Sequence, residues 1–488
     1  MRPLTILGAL ACALAASTVA DARPLTNAER TTLTGSIDAR RENLAANARQ
    51  IWDWAEVGFH EDRSSTLLQD QLRKAGFKIE KGVSGIPTAF VASYGGNGPV
   101  LAYLAEYDAL PGLSQTDGPA KASRGGIAGH ACGHNLLGTA SVEAAIALAR
   151  WLKQTGTPGT IRVYGSPAEE GGFAKVYFVR DGLFKDVDAV LSWHPSDRNG
   201  AAQGQLLSML TVKFRFDGTA SHAAVAPERG RSALDGVEIQ NVAVNYMREH
   251  VPQDVRIHYT ITDGGDQPNI VPAHAESFYY IRHYDPEVVR EVFERVKKAG
   301  EGAALATGTR FSFEVIGGSF GTLPNDALGK VTDANLRRIG GYTYTPAEAR
   351  YAEGIAATLP PGGRKQDPST IADYDFGRRS PASSDVGDIS WVVPTASLGT
   401  ATWVPGTAPH SWQAALASGT SIGISGALIA AKTMALTGAD LFLDPERLAA
   451  AKAELAKSQG PGFRYVPLLG DRKPPLDYTD AVKKGTPQ

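Results

Sequence analysis

Residues 129–166 read GHACGHNLLGTASVEAAIALARWLKQTGTPGTIRVYGS, and the order of their parts decides the fold. A run of small residues carrying His130, Cys132 and His134 leads into an apolar helical stretch over 135–153, with Gly156 beyond its end and an apolar strand over 160–166. A chemistry-bearing loop at the head of a helix, followed by a strand, is the unit of an α/β sheet whose functional groups collect at strand ends. Cys132 is also the only cysteine outside the first two dozen residues, so it has no internal disulfide partner there. Two imidazoles flanking one thiol within five residues suit a divalent metal with mixed nitrogen and sulfur ligation.

The alternation continues on both sides. Helices are expected over 27–56 and 64–75, and strands over 88–94 and 100–107 flank Gly95-Gly96-Asn97-Gly98, which reads as a hairpin turn. The strand over 160–166 runs into Pro167-Ala168-Glu169-Glu170-Gly171-Gly172, and a strand over 189–193 into His194-Pro195. A sheet would aim both clusters at one crevice. Adjacent side chains point different ways, so one glutamate can hold a metal while the other takes a proton from water; the sequence does not say which does which.

From residue 208 the pattern changes to strand 208–216, helix 232–249, strands 256–262 and 276–284, helix 286–307 and strand 310–317, the β-α-β-β-α-β order of a ferredoxin-like unit. A strand near 395–402 and a helix over 414–436 then return to the first domain, with His410 just ahead of that helix. The expected organisation is an export signal over 1–22, a catalytic domain over 23–205 and 323–488, and an inserted domain over 206–322.

The export signal rests on Arg2, an apolar run over 4–16 and the small residues of Ala20-Asp21-Ala22, with the mature chain starting near Arg23. This implies a periplasmic or secreted protein. No other stretch reads as long and apolar enough to span a bilayer. The remaining ~465 residues suit two or more domains. A balance of 49 basic and 51 acidic residues, without a basic run, argues against nucleic-acid or anionic-membrane partners.

Six landmarks occur in order: Glu106-Tyr107-Asp108-Ala109-Leu110-Pro111-Gly112, Gly129-His130-Ala131-Cys132-Gly133-His134-Asn135, Glu169-Glu170, Trp193-His194-Pro195, Ser384-Asp385-Val386-Gly387-Asp388 and Pro409-His410-Ser411-Trp412-Gln413. In this set the chain resembles the aminoacylase/carboxypeptidase group of co-catalytic metallopeptidases, and within it the amidohydrolase branch of the aminobenzoyl-glutamate hydrolase type. The resemblance implies a three-layer, mixed-sheet, zinc-peptidase-like catalytic domain with the ferredoxin-like α+β insert as lid and dimerisation domain. It implies two divalent ions, Zn or Mn, bridged by Cys132 and held by His134, Glu170, His194 and His410, with Glu169 as general base and acid.

It further implies that His222 reaches the partner subunit's site to stabilise the oxyanion, that Asn269 contacts substrate, and that Arg282 binds the substrate carboxylate. Asp108 is expected to orient a ligand histidine from the outer shell, and His130 to support the loop. The implied substrate is a small amide with a free carboxylate, an N-acyl or N-aroyl amino acid. Short peptides, or a non-catalytic role as one member of an unlike pair, are the alternatives; homodimer and heterodimer both stay open. Two features depart from the branch: Glu106 stands where most members carry Asp, and many relatives lack an export signal.

Overall fold

The computed structural model describes residues 22–362 and 366–483, so the export signal, apart from Ala22, lies outside the described residues. The chain lays down β1 (Lys78–Lys81), β2 (Phe90–Gly96), β3 (Val100–Glu106), β4 (Gly159–Ser166) and β5 (Ala189–Ser196). It then builds β6 (Ser208–Asp217), β7 (Arg256–Asp263), β8 (His274–His283) and β9 (Arg310–Ser319), and adds β10 (Thr395–Ala401) to the first sheet. That sheet is ordered β1-β2-β4-β3-β5-β10; β4, β3, β5 and β10 are mutually parallel, β2 is antiparallel to β4, and β1 to β2.

Both faces of this sheet are covered, which explains the unbroken apolar run of β3. Leu101, Tyr103 and Ala105 join a core with the helices His134–Thr155 and Ser421–Leu443, while Ala102 and Leu104 join Tyr164, Tyr177 and Phe178 on the other face. Helix, mixed sheet and helix form the three layers of an α/β fold. The inserted strands make an antiparallel sheet ordered β7-β8-β6-β9, the ferredoxin-like arrangement. Its two helices, Ala233–Met247 and Pro286–Thr307, contribute Val244, Val292 and Val296 to one core with Phe214 and Tyr279.

The chain leaves the insert at Phe320, where the Phe320 N–H donates to Asp388 (2.9 Å) and the Trp391 indole donates to Gly321 O (2.8 Å). A Cβ on Gly387 would lie 1.8 Å from Phe320 O, so the close approach requires glycine there. Burial pushes the Asp388 carboxyl up to about 8.

Several sequence expectations need correction. The helix expected over 27–56 is two, Asn27–Asp38 and Arg41–Trp54; at the break Arg40 turns inward to pair with the buried Glu143 at 2.6 Å. β5 runs three residues beyond 193, through Pro195. Val190 N–H points toward β10, so by strand parity the amide-less Pro195 faces the other side, where β3 pairing has already ended. The helix expected over 414–436 breaks at Ser418-Gly419-Thr420 into Trp412–Ala417 and Ser421–Leu443; at the break the Trp52 ring packs so closely that a Cβ on Gly419 would lie 2.6 Å from it, so glycine is required there. Ser421–Leu443 is long and apolar enough to cross a membrane, contrary to the sequence reading, yet 83% of its most apolar window is buried in the protein, as a core helix requires.

The Gly95–Gly98 turn is not a hairpin, because β4 lies between β2 and β3 and pairs with both. The turn instead arches over the start of β4. Gly95 has φ +89°, and a Cβ on it would stand 2.2 Å from Gly159 O. Replacing Gly95 by Ala therefore imposes a left-handed conformation and a backbone collision; the expected loss of unfolding free energy in urea is about 1–3 kcal/mol, whereas Gly96→Ala, with open space around its Cβ, costs less.

Candidate metal centre and active site

β3 and β5 pair over only three residues of each, Leu101–Tyr103 with Ala189–Leu191. Beyond them the strands part, and a crevice opens at the carboxyl ends of parallel strands, where α/β sheets gather their functional groups. Glu106 ends β3, the Glu169-Glu170 turn follows β4, His194 lies near the end of β5, and His134 begins the helix His134–Thr155. Gly133 precedes that helix at φ +75°, and a Cβ there would sit 2.8 Å from the Pro195 ring, so only glycine lets the Cys132–His134 segment pass so close to β5.

The donors converge. Cys132, His134 and His194 offer ligand atoms within 4.8 Å of one another; so do Cys132, Glu170 and His410, and so do Glu106, His134 and Glu169. The Cys132 thiol lies 3.4 Å from His194 Nε2 and belongs to two of these groups. His134 Nδ1–H donates to Asp108 at 2.8 Å, and the other Asp108 oxygen accepts the Glu170 N–H at 3.1 Å. His194 Nδ1–H donates to Pro195 O at 2.8 Å, which turns its Nε2 toward the thiol. His410 sits at φ +57°, and its N–H donates to Ala131 O at 3.0 Å, tying its loop to the cysteine loop.

Two buried ligand atoms here lack hydrogen bonds. His134 donates its Nδ1–H to Asp108, and its Nε2, without a hydrogen bond, lies 3.2 Å from a Glu106 oxygen; in the neutral ring that a bound cation requires, this atom carries the lone pair. Glu170 Oε1 lies 3.3 Å from His410 Nε2, also without hydrogen-bond geometry. Acceptors that face one another in a buried site suit a shared cation, and thiolate, imidazole and carboxylate together suit divalent zinc and its neighbours. Without a cation, burial and the Glu170 charge push the Cys132 thiol well up, while burial, then Glu106, Asp385 and Glu170, hold Glu169 well above the usual carboxylate range.

Three groups that the sequence reading did not assign complete the cluster. Glu106 supplies a donor atom itself. Lys175, fully buried, pairs with Glu106 at 2.8 Å and Asp385 at 2.7 Å. Glu61, buried among the carboxylates, accepts the Ala168 N–H at 2.8 Å and so braces the left-handed residue (φ +54°) that precedes Glu169. Glu61 stands in a polar stretch and carries no sequence signal of burial, whereas Lys175 interrupts an apolar run over 173–179; the Glu106 and Asp385 landmarks pointed to this corner.

His130 belongs to none of the donor groups; its Nε2–H donates to Ile51 O at 3.0 Å and anchors the loop to the helix Arg41–Trp54. The other expected residues stand apart. His222 is exposed on the insert, and its Nδ1 accepts from the N–H groups of Ala224 and Val225, both at 3.2 Å, leaving the ring proton on Nε2. An isolated bridge between His222 and Ile270 brings exposed Asn269 beside it. Arg282 lies near the other end of β8, eight residues past His274, roughly 27 Å along the strand. It is partly buried at the root of the insert, paired with Met209 at the start of β6, and its Nε lacks a hydrogen bond.

Lys175 is the charge on which the buried carboxylates balance. Lys175→Met leaves Glu106 and Asp385 without their cation and is expected to cost about 3–5 kcal/mol in urea unfolding of the metal-free chain; adding Asp385→Asn should recover part of that loss, as a double-mutant cycle reads directly.

The arrangement has close relatives. The chain is 41% identical over 437 residues to one of the named subunits of the p-aminobenzoyl-glutamate hydrolase of Escherichia coli (strain K12), covering 84% of this chain and 91% of that protein. It is 28% identical over 436 residues to the mouse Xaa-Arg dipeptidase, covering 86% and 90%. Among solved structures, a dinuclear metal-binding peptidase of the M20 family from Bacillus subtilis shares the fold at TM-score 0.57 and 17% identity, over 83% of this chain and 99% of that one. The aminobenzoyl-glutamate utilization protein of Klebsiella pneumoniae does so at TM-score 0.55 and 18% identity, over 80% and 97%. Residues 102–411 match the family model for peptidase family M20/M25/M40, and with the 41% identity across most of its length the chain belongs to that family.

Proposed function

We propose that this protein hydrolyses the amide bond of N-acyl or N-aroyl amino acids with a free carboxylate, substrates of the aminobenzoyl-glutamate kind. The observation that carries this reading is the sharing of one thiol, Cys132, by two donor groups, with Glu169 beside them. In it, Cys132, His134, His194, Glu170 and His410 would hold two divalent ions, Zn or Mn, with the Cys132 thiol common to both donor groups. Metal held there supplies Lewis-acid polarisation of the carbonyl and makes water acidic enough to attack at neutral pH. Glu169 takes the proton of the attacking water and returns it to the leaving nitrogen. Asp108 holds the His134 ring in the tautomer that leaves Nε2 free to ligate.

Arg282 then pairs with the substrate carboxylate, as its unpartnered guanidinium nitrogen at the catalytic end of β8 allows. His222 and Asn269 lie at the far end, so in this reading they serve the site of a second protomer. An exposed apolar row, Ile239, Val242 and Tyr246 on one helix, with Ile261 on the edge strand β7, offers a surface for pairing. A homodimer fits that surface. The 41% relative is named as one of the subunits of a hydrolase, and another named subunit of the same E. coli hydrolase is 27% identical to this chain over 331 residues, which favours testing an unlike pair as well. The dipeptidase relatives support a second reading, cleavage of short peptides.

Purified protein is expected to release free glutamate from p-aminobenzoyl-glutamate, to lose that activity to a chelator and to regain it with Zn or Mn. A panel of Xaa-Arg dipeptides separates the two readings. Glu169→Gln should lower kcat by about 10²–10⁴-fold with metal content unchanged; activity equal to wild type would refute the base assignment. We also propose export to the periplasm or beyond, on the pattern over residues 1–22. Mass spectrometry of the protein from the periplasmic fraction or medium should then find an N-terminus at Arg23, and an intact Met1 in the cytoplasm overturns this.

A further inference from the structure

Beyond the helix Pro445–Gln459 the chain crosses both domains, and its last described residues lie against the segments that carry the site. It first grips the insert. Arg290 donates to Val466 O, Leu468 joins the core of the inserted domain, and Arg472 donates to Glu314 (2.8 Å) and Val315 O (2.7 Å) on β9. It then grips the catalytic domain: Arg180 donates to Arg472 O at 2.7 Å, and Leu469 packs in one core with Phe59 and Ala168.

The last part touches the segments that carry the site. Thr479 donates to Gly58 O at 2.7 Å, Asp480 pairs with His60 at 2.9 Å, and Val482 packs with Val57, Ala109 and Ala128, next to Asp108 and His130. Tyr478 packs edge-on against Phe59 at 5.6 Å and lies between Gly58 and the Glu169-Glu170 turn. Its hydroxyl occupies the space a Cβ on Gly58 would need, at 2.0 Å, and its ring edge stands 3.1 Å from where a Cβ on Gly171 would lie. Two glycines beside the site thus make room for this one side chain. Burial, and after it the charges of Asp108, Glu61, Glu170 and Glu169, raise the Tyr478 phenol.

We propose that residues 461–483 form a strap that couples the inserted domain to the Glu169-Glu170 turn, with Tyr478 as the positioning residue that holds the turn through its ring. The strap lies outside the stretch that matches the family model, 102–411. Within the turn, the N–H groups of Ala168, Glu170, Gly172 and Phe173 all have partners, to Glu61, Asp108 and Ala168 O, so their hydrogen exchange reports its order. Movement of the insert would reach the turn through Arg472 and Leu468. This rests on the reading of Glu169 and Glu170 as the catalytic pair.

The test compares Tyr478→Ala, Tyr478→Phe and Arg472→Ala in the metal-loaded enzyme by hydrogen–deuterium exchange and by kcat and KM on p-aminobenzoyl-glutamate. Tyr478→Ala is expected to speed exchange over 167–173 about tenfold, leave the helix His134–Thr155 unchanged, and lower kcat on the order of tenfold or more with little change in KM. Tyr478→Phe keeps the ring and should behave as wild type. Arg472→Ala, remote from the crevice, should speed exchange of the same turn several-fold. Unchanged exchange over 167–173 in Tyr478→Ala, or equal damage from Tyr478→Phe, overturns the proposal. If wild type fails to cleave the substrate, the functional reading fails, while the exchange experiment still decides the strap.

Discussion

Both carboxylate oxygens of Asp108 are committed, one to the His134 ring and one to the Glu170 backbone, and the geometry of the crevice depends on that pair of bonds. They lock two donors from different loops into one frame, 26 residues apart in one case and 62 in the other. Asp108 can serve both because it follows the end of β3, where the sheet has just opened between β3 and β5. The carboxylate itself is buried, and its pKa is held down despite burial chiefly by the His134 charge and hydrogen bond.

Charge balance is the second constraint. Glu61, Glu106, Asp108, Glu169, Glu170 and Asp385 form one buried acidic cluster, with Glu169 and Glu170 nearest the Cys132 thiol and Lys175 as the buried lysine beside Glu106 and Asp385. Burying so many acids is costly unless cations accompany them, and Lys175 meets only Glu106 and Asp385 directly. The excess of anionic donors on the His134 side is the electrostatic counterpart of the unbonded ligand atoms there. Glu106 links the two halves: one oxygen faces Lys175 and the other His134 Nε2. An aspartate at this place is one methylene shorter, so the longer side chain and the buried lysine form a natural pair.

The inserted domain separates the residues proposed to meet substrate by the length of β8, with Arg282 toward the root of the insert and His222 and Asn269 away from it. Its exit is clamped by Asp388, Ser390 and Trp391. The C-terminal segment adds a second tie between the domains, so the insert is held at its root and along β9.

Much of this was legible in the sequence because it is local. Gly156, Pro286 and Gly308 mark helix ends through their own backbone preferences, and the candidate donors His134, Glu170, His194 and His410 stand at a helix start, near a strand end and on loops that an α/β sheet brings to one edge. Local signals failed where a distant segment intervenes: β4 enters between β2 and β3, Trp52 fills the space at Gly419, and the Ser421–Leu443 helix spends its apolar surface on the protein core. The brace of Glu61 on Ala168 and the seat of Tyr478 beside Gly58 are equally silent in sequence, since a charged or phenolic side chain looks the same whether water or protein surrounds it; Lys175 stands in an apolar run, but its distant partners Glu106 and Asp385 cannot be read from that run. The sequence by itself determined the chemical kinds of the donors and the order of the elements that carry them; only the tertiary structure decided which atoms meet, because burial and hydrogen-bond partners come from residues tens to hundreds of positions away.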